Sequence, residues 1–192
     1  WNLKNHRCLH TFPDHKSRVW SLAFSPNGQI LAGSGDDSTI RLWDVKNRQC
    51  INIFSEHRSR VWSLNFSPNG QFLASSDDST IRLWDVKNRQ CCHTFSGHNS
   101  RTWSIAFSPN GLFLLSGDDD SSMRLWDLNN RQCLHDFTGQ FKGIPSVAFS
   151  PTGDLFAGGS GDSVIRLWNA WSRQCVHTFL GHTDRVWSIA FS

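Results

Sequence analysis

Five tryptophans set the period of this chain. Trp1, Trp43, Trp84, Trp126 and Trp168 lie 42, 41, 42 and 42 residues apart, each closing a strand-like run. A period of about 40 residues marks a repeat architecture, in which one supersecondary unit is copied and stacked, so the fold of one unit dictates the fold of the whole. The units are close copies. Asp36 to Cys50 and Asp77 to Cys91 both read DDSTIRLWDVKNRQC, and FSPNGQ at 24–29 recurs at 66–71, as recent tandem duplication would leave them.

Within one unit, SRVWSLAF (17–24) alternates and is rich in β-formers, and SPNG (25–28) supplies a proline and an Asn-Gly pair suited to a tight hairpin. Residues 17–24 and 29–34 therefore read as paired antiparallel strands. A polar turn at Gly35 to Ser38 leads into TIRLW (39–43), and KNRQ (46–49) turns the chain into CINIF (50–54). One unit is thus four short strands with no helix.

Four antiparallel strands per repeat of this length, ending on Trp-Asp, describe a propeller blade. The Trp-Asp pairs at 43–44, 84–85 and 126–127 and the Gly-His pairs at 97–98 and 181–182 resemble the WD-repeat β-propeller family. Variants fill the other slots: Asp14-His15, Glu56-His57, Gly139-Gln140, Trp168-Asn169 and Trp1-Asn2. The resemblance covers all 192 residues, and the near-verbatim copies look like bacterial WD-repeat arrays, some of which are attached to NTPase or kinase modules.

The resemblance implies an all-β propeller segment with four complete four-stranded antiparallel blades at 17–54, 59–95, 100–137 and 144–179. Partial blades at 1–12 and 185–192 would contribute an outermost strand (8–12) and an innermost strand (185–191). WD-repeat rings usually close by pairing an N-terminal outer strand with C-terminal inner strands in one shared blade. Here the shared blade would own only its innermost and outermost members. A ring of about seven blades takes roughly 300 residues, so an incomplete ring belonging to a longer chain is expected.

The unbroken period argues for a single array. Net charge is +3 with acidic and basic residues interspersed, which gives no pointer to nucleic acid or membrane, and no apolar run approaches a membrane span. Cys8, Cys50, Cys91, Cys133 and Cys175 occupy one slot of the outermost strand in successive repeats, with Cys92 the one extra. Repetition explains their number, and small packed thiols in a reducing, cytoplasmic compartment are expected rather than a disulfide scaffold. Spacings of a full repeat do not make a zinc site, and neither metal nor cofactor is expected.

His15, His57 and His98 precede a strand-c tryptophan by 27 or 28 residues, and Asp37, Asp78, Asp120 and Asp162 each sit six residues before one. A His/Asp/Ser grouping invites a hydrolase reading. In the WD-repeat family, however, His, Ser, Asp and Trp form a buried hydrogen-bonded tetrad that ties a blade's loops together. The resemblance assigns it as His15, Asp37 and Trp43 in blade one, His57, Ser75 (or Ser76), Asp78 and Trp84 in blade two, His98, Ser116, Asp120 and Trp126 in blade three, and Asp162 and Trp168 in blade four. Gly33 and Gly158 stand where the pattern wants serine, and Gln140 takes the histidine slot of blade four, which should be the least rigidly tied. The paired acids at 36–37, 77–78 and 118–120 lack the further oxygen ligands of a calcium loop.

The candidate binding surface lies at the start of the inner strands. Arg18 and Trp20, Arg60 and Trp62, Arg101 and Trp103, and Arg185 and Trp187 are i, i+2 pairs on one strand face. In WD-repeat proteins these columns stand around the channel mouth, where peptides dock, and Trp and Arg are residue types enriched at interface hot spots. The alternative is that Trp packs between blades with Arg stacked on it. Blade four breaks both columns with Gly143 and Pro145. A second basic series, Lys46, Arg48, Lys87, Arg89, Arg131 and Arg173, falls on the opposite loops.

The expected function is therefore a non-catalytic protein- or peptide-binding scaffold or sensor module of a larger signalling protein. Its expected partner is an acidic peptide with an apolar anchor, with further blades or self-association satisfying the open strand edges. Two other classes stand beside it: a propeller enzyme using the His and Asp groups, and nucleic-acid binding through the arginine series.

Overall fold

A computed structural model describes residues 4–137 and 142–192. Sixteen strands form four separate four-stranded sheets, with no helix among the described residues. Blade one holds β1 (Val19–Phe24), β2 (Ile30–Gly35), β3 (Ile40–Asp44) and β4 (Gln49–Phe54), and blade two holds β5 (Ser63–Phe66), β6 (Phe72–Ser76), β7 (Thr80–Asp85) and β8 (Gln90–Ser96). Blade three holds β9 (Thr102–Phe107), β10 (Phe113–Asp118), β11 (Met123–Asp127) and β12 (Gln132–Asp136). Blade four holds β13 (Ser146–Phe149), β14 (Leu155–Gly159), β15 (Ile165–Asn169) and β16 (Cys175–Phe179). Within each sheet neighbours in sequence are neighbours in space, and every pair is antiparallel.

Local chemistry sets the turns. Ser25 opens the first hairpin: its carbonyl accepts the Gly28 N–H (2.8 Å) and its hydroxyl oxygen accepts the Ile30 N–H (2.9 Å). Pro26 and Asn27 form the corner, and Gly28 follows at φ 69°, a left-handed conformation that glycine adopts without steric cost. The aspartate of each Trp-Asp pair caps the next turn, since Asp44 accepts the Asn47 N–H at 2.7 Å and the Asn47 side-chain amide at 3.0 Å. A β-bulge follows in all four outer strands, where the register slips between Leu42 and Trp43, Leu83 and Trp84, Leu125 and Trp126, and Leu167 and Trp168.

A lone sheet has two faces to bury, and here the cores lie between blades. Ile40, Leu42 and Phe54 of blade one pack on Val61, Leu64, Phe66, Leu73 and Trp84 of blade two. Ile81, Leu83 and Phe95 repeat this against Ile105, Phe107, Leu114 and Trp126, and Met123, Leu125 and Phe137 against Ile144, Val147, Phe156 and Trp168. A phenylalanine at the end of each outer strand meets the next blade's tryptophan, Phe54–Trp84 at 4.4 Å, Phe95–Trp126 at 5.2 Å and Phe137–Trp168 at 5.8 Å between ring centroids.

Two backbone ties recur at every junction. The inner-strand N–H groups of Val61, Thr102, Ile144 and Val186 donate to the carbonyls of Gly35, Asp77, Asp118 and Ser160 of the blade before. Those of Leu64, Ile105, Val147 and Ile189 donate to the hydroxyls of Ser21, Ser63, Ser104 and Ser146, at 3.0–3.3 Å.

The structure corrects two expected strands. Residues 8–12 and 185–191 carry no strand ladder, because a strand exists only through a hydrogen-bonded neighbour and neither finds one among the described residues. The 185–191 segment nevertheless docks on blade four through Val186 and Ile189. The four sheets do not close into a ring. All six cysteines are free, but Cys8, Cys50, Cys133 and Cys175 are exposed rather than packed, because the outermost strand is the rim of its blade.

Candidate functional site

The Ser, His, Asp and Trp side chains meet inside blades two and three. Trp84 donates its indole N–H to Ser75 Oγ (2.7 Å), Ser75 Oγ lies 2.6 Å from His57 Nε2, and His57 Nδ1 lies 2.8 Å from Asp77 Oδ2. Trp126, Ser116, His98 and Asp118 repeat this at 2.8, 2.6 and 2.6 Å. The indole can only donate, so the Ser hydroxyl accepts from it and donates its own O–H to His Nε2, and the imidazole carries its proton on Nδ1, facing the carboxylate. Burial pushes the Asp77 carboxyl up, yet hydrogen bonds from His57 and from the Ser79 and Thr80 N–H groups outweigh it and hold the group at about 2.

The aspartates differ from those expected. Asp78 and Asp120 do not touch the histidines; Asp77 and Asp118 do. Counting back from the tryptophan fails because the turn between the second and third strands differs in length and course, whereas counting forward two residues from Ser75 or Ser116 lands on the observed partner. Asp78 instead accepts the Trp62 indole N–H at 2.8 Å, and Asp120 is exposed, its backbone N–H held by Ser100 Oγ at 2.9 Å. Ser75 rather than Ser76 is the tetrad serine, and Ser76 donates to the Thr102 carbonyl of the next blade.

Blade one lacks the serine and rewires. Asp37 still faces His15 Nδ1 (3.0 Å), and burial of its carboxyl is outweighed by bonds from Thr39 and His15, which lower its pKa. The Trp43 indole N–H turns to Asp14 (2.6 Å), and His15 Nε2 is left buried without a partner. In blade four Asp162 pairs with Arg166 at 2.8 Å, and burial of this carboxyl is likewise outweighed by that partner and Ser160. Gln140 lies outside the described residues, and Trp168 is packed against Phe137 and stacked on Phe156.

At the start of the inner strands the tryptophans form a ladder, with Trp20–Trp62 at 4.9 Å and Trp62–Trp103 at 4.7 Å between centroids. Trp62 is 6% exposed, so it is packing rather than an open anchor, whereas Trp20 and Trp187 at the two ends are exposed. Arginines overlie the ladder: Arg18 on Trp20 at 5.5 Å, Arg60 on Trp62 at 5.8 Å, Arg101 between Trp62 and Trp103 at 5.6 and 5.8 Å, and Arg185 on Trp187 at 5.0 Å. The spare acid of each pair belongs to this rim. Asp36 accepts the Trp20 N–H (2.7 Å) and pairs with Arg60 of the next blade (3.0 Å).

The corresponding residue of blade three is Asp119, and blade four has Gly161 there, so blade four lacks Arg, Trp and Asp together. Arg185 reaches back across that gap to Asp119 at 3.9 Å, and the Trp103 indole N–H is left buried without an acceptor. On the opposite loops, Arg131 and Arg173 donate to the Cys92 and Leu134 carbonyls of the preceding blade. No group of three or more His, Cys, Asp or Glu that could hold a metal occurs among the described residues.

The family model for the WD40 repeat (WD domain, G-beta repeat) matches residues 6–44, 48–85, 89–127, 131–169 and 173–192. The chain belongs to the WD-repeat family. No curated protein matches it. WD40 repeats are generally protein-interaction scaffolds and typically non-enzymatic, and this WD-repeat chain uses its most catalytic-looking side chains to tie its blades. The rim acids Asp36 and Asp119 were missed as site residues because sequence spacing does not say which member of an acid pair turns inward. The repeated doublet itself was the available signal.

Proposed function

We propose that this WD-repeat segment is a non-catalytic binding scaffold or sensor module of a larger signalling protein, and that its arginine–tryptophan rim takes an acidic peptide bearing an aliphatic or aromatic anchor. One observation carries this reading: the rim is short of carboxylates. Arg18 and Arg101 overlie tryptophans with no acid within 4.0 Å among the described residues. An incoming Asp or Glu side chain meets exposed guanidinium forks stacked on indole rings, whose planar donors favour carboxylate geometry, while an apolar anchor meets the exposed Trp20 edge.

The non-catalytic part rests on access. Ser75 and Ser116 are fully buried, and each hydroxyl is already committed to an indole and an imidazole, whereas a nucleophile must reach its substrate. The test is fluorescence anisotropy with a labelled acidic peptide carrying a Leu or Phe anchor, against the same peptide with lysines for its acids. Binding should be selective for the acidic form, weaken with salt, and drop about tenfold or more in Arg18→Ala/Arg101→Ala. Equal binding of both peptides, or undiminished binding by the folded double variant, overturns the proposal.

A further inference from the structure

At the end of the strands opposite the arginine–tryptophan rim, the inner-strand hairpins stack in a row, with Gly70, Gly111 and Gly153 each facing the proline of the hairpin before, Pro26, Pro68 and Pro109. Between blades two and three this row leaves a cleft of about 510 Å³. Pro68, Phe72, Pro109 and Leu112 wall it, and Asn129, from the turn that follows β11, completes the lining. The junction lies inside the array, with a complete sheet on either side. Both hairpins are fixed by their own side chains. Asn69 Oδ1 accepts the Ser67 hydroxyl (2.8 Å) and the Gln71 N–H (3.0 Å), and Asn110 Oδ1 accepts the Ser108 hydroxyl (2.7 Å) and the Leu112 N–H (3.0 Å). Walls held in this way are formed before a ligand arrives, which lowers the cost of binding.

The next junction shows what such a cleft can hold. There Phe113 stands in the position of Phe72, and Trp171 in that of Asn129. The indole lies edge-on to Phe113, with centroids 6.0 Å apart and planes at 81°, and its N–H reaches Asp154 at 3.5 Å. Between blades two and three the short Asn129 side chain has no ring to lay on Phe72. Leu112, 38% exposed, replaces Asp154, so an apolar contact takes the place of the indole's acceptor. The open cleft therefore suits a ring with no donor on its edge, because an N–H brought there would give up water without return. The turns beside it carry Lys87, Arg89 and Arg131 against Asp85 and Asp127, whose carboxylates already hold the Asn88 and Asn130 amides. Acidic residues flanking the ring complement that basic excess.

We propose that this cleft binds a phenylalanine side chain presented on an acidic segment of a partner protein. The ring meets Phe72 edge to face, as Trp171 meets Phe113, with Pro68, Pro109 and Leu112 as its walls. The acids beside it face the basic turns.

Amide-resolved NMR titration of the full chain with acetylated, amidated Asp-Phe-Asp tests this, in the Arg18→Ala/Arg101→Ala background so that capture by the rim does not contribute. Saturable shifts should appear at Gly111, Leu112 and Asn129. Asp-Ala-Asp should produce none there, and Lys-Phe-Lys should bind several-fold more weakly. Asn129→Trp, which lays a ring over Phe72, should weaken Asp-Phe-Asp binding about tenfold or more, and Leu112→Asp should weaken it several-fold by placing a carboxylate in the wall. Each substitution installs the residue that blade four already carries at that position, so the fold accommodates it. Shifts that fail to saturate or that fall away from the cleft overturn the proposal. So does equal binding of Asp-Ala-Asp, or undiminished binding by Asn129→Trp. The rim reading stands or falls separately, since the titrated chain lacks its arginines.

Discussion

Replacing Asp118 by alanine should be among the costliest polar substitutions in the chain. The Asp118 side chain is 1% exposed and accepts the His98 ring N–H (2.6 Å) and the Ser122 backbone N–H (2.8 Å). Alanine leaves both donors buried without an acceptor, at about 1–3 kcal/mol each, while removal of a buried charge returns part of that. The expected loss is therefore about 2–4 kcal/mol. Asp120→Ala is the control. Its side chain points to solvent, its tie to Ser100 runs through a backbone N–H that alanine keeps, and the change should stay within about 0.5 kcal/mol. Urea unfolding followed by tryptophan fluorescence, compared at constant m, reads both values. The Trp126 indole N–H resonance should move in Asp118→Ala and stay in place in Asp120→Ala, since a chain of three hydrogen bonds, through Ser116 and His98, joins that proton to the altered carboxylate. Equal losses, or a larger loss for Asp120→Ala, would refute the assignment of Asp118 to the lock.

The rest of the lock and the rim give three further expectations. Trp62→Ala should lower stability by about 3–5 kcal/mol, because the ring is buried between Trp20 and Trp103 with its N–H on Asp78; calorimetric melting checks this, and Arg101→Ala should hardly shift the same melt. The Asp77 carboxyl, held at about 2 in the folded chain, lies below its unfolded value of about 3.9, so its contribution of at most about 2 kcal/mol is complete above about pH 4 and disappears as pH falls toward 2. Acid titration of stability should show that slope, and Asp77→Asn should flatten it. Asp14→Ala strands the Trp43 N–H and should cost about 1 kcal/mol by urea unfolding, whereas Asp14→Asn, which keeps an acceptor oxygen, should cost less.

How far the sequence could be read depended on the kind of regularity involved. Strand order, hairpins and blade boundaries follow from local chemistry repeated four times, and they were legible because SPNG, the Trp-Asp pair and alternating apolar residues each act over a few positions. The tetrad was legible in kind but not in register. Asp37 reaches His15 from a turn whose earlier slot holds Gly35, while Asp77 and Asp118 fill that slot themselves, and only backbone geometry reveals the difference. The split between packing and docking tryptophans was equally hidden, since Trp20 and Trp62 have the same neighbours in sequence and differ only in whether another blade covers them. Strands 8–12 and 185–191 failed for the converse reason: their sequences favour extended chain, but a ladder needs a neighbour.

Blade four shows why such losses come in sets. An aspartate at 161 would have no indole to bind once Pro145 replaced the tryptophan, and a side chain there has no room, since a Cβ would run into the Lys142 carbonyl. A glycine is thus the consistent partner of Pro145, and Gly143, packed against Asp119, completes the change. The consequence appears two positions away along the rim. Arg185 has no acid in the preceding blade and stretches to Asp119, while the Trp103 N–H goes without an acceptor. The rim is therefore not four equal sites. Its charge is most neutralised between blades one and two, where Asp36 holds both Trp20 and Arg60, and least at Arg18 and Arg101, which have no acid within 4.0 Å among the described residues. A ligand carboxylate gains most where no acid of the chain already holds the guanidinium, which places the rim's anion sites at Arg18 and Arg101 rather than at Arg60 or Arg185.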